Sequence, residues 1–180
     1  MTRRESAAQS DFLSNDMRIG RALQRLNAMA RPEAERELLS CCGSRRWAGR
    51  MAGARPFASE SELLSSADRF WNELSMEDWL EAFAAHPKIG ERASGQAAQE
   101  QSGTRGASSE VIEELARANR DYKKRFGHIF IVCATGKTAQ EMLDLCRRRL
   151  HNDPPEELTV AAEEQRKITR LRLENLLRPS

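Results

Sequence analysis

Apolar residues recur at helical spacing along nearly the whole chain. Residues 18–29 place Ile19, Leu23, Leu26 and Met29 three or four apart, which predicts an amphipathic helix. Arg31-Pro32 interrupts that pattern, and Pro32 suits a first helical turn, so a second helix is predicted over 32–41, ended by Cys42-Gly43. A third runs from Ser44 to about Ala54 with Trp47 and Met51 on one face, and Arg55-Pro56-Phe57 reads as a stiff connector. Ser59 with Glu62 has the spacing of a capping box and opens a helix carrying Leu63, Ala67, Phe70 and Leu74. Ser75 with Asp78 opens 76–85, which carries Trp79, Leu80 and Phe83. Ser108 or Ser109 opens 109–126 through Ile112, Leu115, Ala116, Asn119 and Tyr122, and Gly127 ends it. Thr138 with Glu141 opens 139–150, and Asp153-Pro154 opens a long helix over about 155–177.

Residues 129–134, IFIVCA, break the helical period. A continuous apolar run is strand-like, yet no second segment of that kind is available to pair with it, and a lone strand leaves its backbone unsatisfied. The run is read as a buried extended link. The predicted fold is therefore all-α, a single-domain bundle of about eight helices with one long active-site loop. Residues 1–17 are polar and form a flexible N-terminal segment, and residues 18–178 form the helical domain.

Composition narrows the class. A chain of 180 residues suffices for one ample core. With 31% charged residues and a net charge of only +2, basic and acidic side chains interleave, which argues against a nucleic-acid partner. Arg45-Arg46 and Arg147-Arg148-Arg149 read as helix faces or helix ends. No apolar run reaches the ~20 residues of a membrane helix. The opening MTRRESAAQSDFLSND lacks the apolar stretch of a signal peptide, so a cytoplasmic protein is expected. Cys41, Cys42, Cys133 and Cys146 have no zinc-ligand spacing and are read as buried thiols.

The chemistry concentrates in the loop AHPKIGERASGQAAQEQSG, Ala85 to Gly103. Pro87 ends or turns the preceding helix and sets His86 at the loop's edge, while Gly90 and Gly95 permit an irregular path before Glu100 and Gln101. An imidazole, a carboxylate and an amide on one long loop could converge on a small polar substrate. His86 has a second reading, as a C-terminal cap of the helix before it. His128, after Gly127, stands at a helix end, where a partly charged imidazole is compatible with the dipole, and His151 is read as exposed. No histidine stands four residues from another ligand, so no metal site is expected. Gly136-Lys137-Thr138 ends like a phosphate-binding loop, but its first glycine would have to be Ile131, and the segment reads as a helix start instead. Its free amides make at most a mild anion or carbonyl site. Arg172 falls on the inward stripe of the last helix, with Leu158, Ala161, Gln165 and Ile168. A buried guanidinium there takes either a structural glutamate or a substrate carboxylate, unless a slight rotation makes Leu171 the inward residue.

These residues carry a family resemblance. His86-Pro87-Lys88-Ile89-Gly90, Glu100-Gln101-Ser102-Gly103, Tyr122 to Gly127, Ile129 to Ala134, Glu141, Arg149-Leu150-His151-Asn152, Glu163-Glu164, Lys167-Ile168 and Arg172-Leu173, with Trp47 and Arg55-Pro56-Phe57 upstream, occur in order. The chain over about residues 20–177 resembles the 2-oxo-4-hydroxy-4-carboxy-5-ureidoimidazoline (OHCU) decarboxylases of urate breakdown, in their bacterial-type stand-alone form. The resemblance implies an all-α homodimer that needs no metal or organic cofactor and converts its ureidoimidazoline substrate to (S)-allantoin. It assigns catalysis to His86 and Glu100. It assigns substrate binding to Pro87, Gln101, Arg172 and the segment Phe130, Ile131, Val132, Cys133, Ala134 and Thr135, chiefly through its main chain. It also implies functional coupling to a 5-hydroxyisourate hydrolase. Some members carry a serine three residues before the glutamate, where this chain has Ala97. Sequence leaves open whether His86 or Glu100 carries the key proton.

Overall fold

The computed structural model describes residues 18–86 and 107–178. Among them are eight helices and no strand: α1 (18–28), α2 (Arg31–Cys42), α3 (Arg45–Gly53), α4 (Glu60–Asn72), α5 (Met76–Ala84), α6 (Ser109–Phe126), α7 (Ala139–Arg149) and α8 (Pro154–Leu177). The all-α expectation holds. Residues 1–17 and most of the long loop lie outside the described residues.

Side-chain caps set the helix starts where the sequence places them. Ser75 and Asp78, and likewise Thr138 and Glu141, form complete capping boxes in which each side chain satisfies the other's backbone amide. The Ser59 cap departs from that scheme. Its hydroxyl accepts from the Glu62 amide, but the Glu62 carboxylate reaches one residue further back to the Ala58 amide at 2.7 Å. Gly127 ends α6 with φ +82°, donating to the Lys123 carbonyl, a conformation that side-chain-bearing residues resist.

The contacts divide the described residues into two compact units. One comprises residues 18–41, 45–74 and 169–178. Here α3 packs on α4, burying Trp47, Met51, Leu63 and Trp71, and the Trp47 indole donates to the Ala67 carbonyl at 3.1 Å. Phe70, expected on the inward face of α4, is only half-buried and lies under the guanidinium groups of Arg50 and Arg69. Asn27 clamps the Phe57 backbone, donating to its carbonyl at 2.8 Å and accepting from its amide at 2.9 Å. Arg55 donates to the Leu26 and Met29 carbonyls at the end of α1.

The other unit comprises residues 42–44, 75–86 and 107–168. α6 packs on α7, and the IFIVCA run lies extended as one face of the core between them. Phe130, Val132 and Ala134 join Leu115, Tyr122, Met142, Leu143 and Cys146 in that core, the alternation of an extended chain. In place of a neighbouring strand, side chains hold the run. Asn119 accepts from the Phe130 amide at 3.2 Å, Arg149 donates to the Ile131 carbonyl at 2.8 Å, Glu164 accepts from the Cys133 amide at 2.8 Å, and Lys137 donates to the Cys133 carbonyl at 2.9 Å. The Lys137 contact, with Thr138 as N-cap, gives Gly136-Lys137-Thr138 a structural role.

Arg149 ends α7, in keeping with the helix-end reading, and is buried. It pairs with Glu157, which is wholly buried, at 2.6 Å from Nη2 and 2.8 Å from Nε. Glu157 also accepts from the Tyr122 hydroxyl and from Asn152 Nδ2 at 2.7 Å. Burial and this hydrogen bond push the Tyr122 hydroxyl pKa far above its usual value. A buried ion pair survives only when its remaining hydrogen-bonding capacity is met, as it is here. Beside it, His128 is buried among Phe83, Tyr122 and Phe126, with Nδ1 3.0 Å from the Ile129 carbonyl. Burial lowers its pKa, opposing the charge that its place at a helix end would favour. His151 is exposed, as expected.

Two outcomes follow from this packing. Arg149→Met, which strands the Glu157 carboxylate, should cost roughly 3–5 kcal/mol in equilibrium urea unfolding; a cost below about 1 kcal/mol would show that the pair supports little. Because His128 has a lower pKa folded than its ordinary 6.5, its contribution is complete above that value and is lost as pH falls through the folded pKa. The melting temperature should therefore decline on acidification below about pH 6.5, and less steeply in His128→Phe.

Candidate active site

The C-cap of α5 is Ala85, not His86; His86 follows it and donates its amide to the Phe83 carbonyl at 3.2 Å. Its side chain is half-buried and makes a further contact that the sequence did not announce. Nε2 lies 2.6 Å from Oε1 of Gln165, a wholly buried side chain on α8. Gln165 in turn donates from its amide nitrogen to the Cys42 carbonyl at 3.4 Å.

Gly43 explains how Cys42 reaches this place. Its φ of +86° reverses the chain at the end of α2, and its missing side chain makes room for α5. A Cβ at Gly43 would stand 2.6 Å from the Ala85 Cβ and 3.2 Å from the Ala82 carbonyl oxygen. The residue next to His86 is thus packed against the backbone that anchors its partner.

The extended segment presents two unlike faces. Phe130, Val132 and Ala134 belong to the core, whereas Cys133 is half-buried and Thr135 exposed. Ile131 is also buried. The Cys133 peptide unit faces Glu164 and Lys137, and Glu164 pairs with Lys167 at 2.6 Å, which raises the Lys167 pKa.

Arg172, in the other unit, is buried, while Leu171 is half-buried, which settles which of the two faces inward. Its Nη1 stands 3.5 Å from the Ser40 and Cys41 carbonyls in the last turn of α2, where helix carbonyls lack intrahelical donors. Pro87, Glu100, Gln101 and Ala97 lie outside the described residues. Among the described residues, no cluster of histidine, cysteine or acidic side chains could hold a metal ion, and no helix is long and apolar enough to cross a membrane.

The described part of the candidate site thus defines a class: an all-α domain that carries a histidine fastened by a buried amide and a side-chain-held extended segment. Comparison with known proteins narrows that class. Residues 27–174 match the family model for OHCU decarboxylase, and the chain belongs to that family. It is similar to the uric acid degradation bifunctional protein TTL of Arabidopsis thaliana, with 39% identity over 157 residues, 82% of this chain and 48% of that protein. The chain thus spans about half of that bifunctional relative. It is also similar to the 2-oxo-4-hydroxy-4-carboxy-5-ureidoimidazoline decarboxylase of Amia calva, with 30% identity over 139 residues, 73% of this chain and 77% of that protein. A crystal structure of OHCU decarboxylase in the presence of (S)-allantoin superposes with a TM-score of 0.73 at 42% identity, covering 79% of this chain and 97% of that one.

Gly43→Ala combines a strained φ with a clash against Ala85, and should destabilise the fold by roughly 1–3 kcal/mol in urea titration. A variant as stable as its parent would mean that residues 42–44 do not bear on the end of α5.

Proposed function

We propose that this chain decarboxylates 2-oxo-4-hydroxy-4-carboxy-5-ureidoimidazoline to (S)-allantoin, using His86 and Glu100 for proton transfer and no cofactor. The observation that carries the reading is family membership over residues 27–174 together with a built setting for His86, whose ring is seated on a buried amide. The similar crystal structure obtained with (S)-allantoin supports the same product.

The chemistry needs little beyond placement of charge and protons. When the carbon–carboxylate bond breaks, CO₂ leaves and the electron pair moves into the adjacent C=N bond of the ring, which makes a separate electron sink unnecessary. The ring nitrogen that receives the electron pair takes up a proton, the ring hydroxyl gives up its proton as it becomes a carbonyl, and the neighbouring ring carbon accepts one. Delivery of that proton from a single face sets one enantiomer. An imidazole can serve both transfers near neutral pH. In this reading His86 takes or gives the proton, Glu100 tunes it, and Gln101 reads the ureido or ring carbonyl. The planar donor fork of Arg172 suits the substrate's negative charge. Pro87 and the main chain from Phe130 to Thr135 complete the binding surface. The reading includes a homodimer in the cytoplasm, supplied with its short-lived substrate by a 5-hydroxyisourate hydrolase.

The test is circular dichroism at an allantoin band, with substrate generated in situ from urate by urate oxidase and hydroxyisourate hydrolase. Rapid growth of a single-enantiomer signal is expected on adding the protein. His86→Asn should abolish it while the far-ultraviolet spectrum stays unchanged, and Arg172→Lys should raise KM. Optically silent decay at the same rate with and without protein would overturn the proposal.

A further inference from the structure

The contacts around Gln165 determine more than the position of His86. A carbonyl oxygen only accepts, so the Gln165 amide nitrogen must be the end that faces Cys42. That fixes the other end, Oε1, toward His86 at 2.6 Å. Oε1 also only accepts, so the hydrogen between the two side chains belongs to His86 Nε2. In the neutral ring, Nδ1 is then the nitrogen with the lone pair, and in the charged ring it carries the exchangeable proton.

We infer that Gln165 is a positioning residue for the reaction, fixing His86 in the Nε2–H tautomer so that Nδ1 is the atom that takes and gives the proton. This rests on the proposed role of His86. The partner's chemistry suits a ring that must work in both protonation states. A carboxylate at this place would favour the imidazolium by its charge, whereas a neutral amide orients the ring without holding it charged. Complete burial of Gln165 serves the same end, because water cannot replace its oxygen as acceptor. Gly43 adds rigidity from below: the chain that presents the Cys42 carbonyl sits against Ala85, the residue before His86. Carbonyl, amide and imidazole thus form a relay of orientation, fixed at its far end by backbone.

The assignment is readable without turnover. The chain has only His86, His128 and His151, so ¹⁵N-histidine labelling of the full chain resolves each ring, and the His86 signals are those lost in His86→Asn. In the parent protein at alkaline pH, a protonated Nε2 and an unprotonated Nδ1 are expected. Gln165→Leu should give a mixture of tautomers, with kcat reduced about 10- to 100-fold and KM little changed. Gln165→Glu keeps an acceptor toward Nε2 and should retain the Nε2 proton. An Nδ1–H ring in the parent would overturn the inference, as would a Gln165→Leu variant with unchanged tautomer and kcat. If Gln165→Leu does not fold, the parent spectrum and Gln165→Glu carry the test. Absence of allantoin production by the parent chain would defeat the proposed function instead, whatever the spectrum shows.

Discussion

The buried pair of Arg149 and Glu157 is the constraint on which the described chemistry of one unit depends. Glu157 ties the start of α8 to Tyr122 of α6 and to Arg149 at the end of α7, and Arg149 reaches on to the Ile131 carbonyl. One carboxylate thereby gathers three helices around an extended segment that has no strand to lean on. The arrangement costs desolvation of two charges, offset by the donors converging on Glu157 and by stacking of the guanidinium over Phe130 at 4.8 Å. Burial also removes the neighbouring thiol and phenol from acid–base chemistry, since the Cys146 thiol is pushed up to about 12 and the Tyr122 hydroxyl higher still. What this region supplies is shape and fixed hydrogen-bonding groups rather than titrating ones.

The helices were legible because their signals are local. Thr138 with Glu141 and Ser75 with Asp78 are caps that need nothing beyond four consecutive residues, and both form as the spacing predicts. The absence of a pairing partner for IFIVCA was equally readable, and gave the extended link. How that link satisfies its backbone was not, because Asn119, Arg149 and Glu164 come from three different helices and have no periodic relation to it. The burial of Arg149 is not legible for the same reason: at the end of a run of three arginines it differs from its neighbours only in what surrounds it.

The candidate site divides in the same way. His86 stood out because Pro87 follows it and the helical pattern stops there. Arg172 stood out as a charge on an inward stripe, and it is buried. Gln165 lay on that same stripe and passed as ordinary, since an amide raises no electrostatic alarm. A buried glutamine without an apolar reason to be there is nonetheless a signal, because its two ends demand an acceptor and a donor. Here they find the Cys42 carbonyl and an imidazole.

The side-chain suspension of residues 130–133 separates two tasks that a sheet would merge. Its hydrogen bonds run to backbone atoms, so they are indifferent to which side chains the segment bears. On the face away from the core, Cys133 and Thr135 can therefore be exchanged for other residues without loosening the attachment. Attachment and outward surface of this segment are thus set by different groups, its backbone holding it in place and its side chains free to vary what it shows.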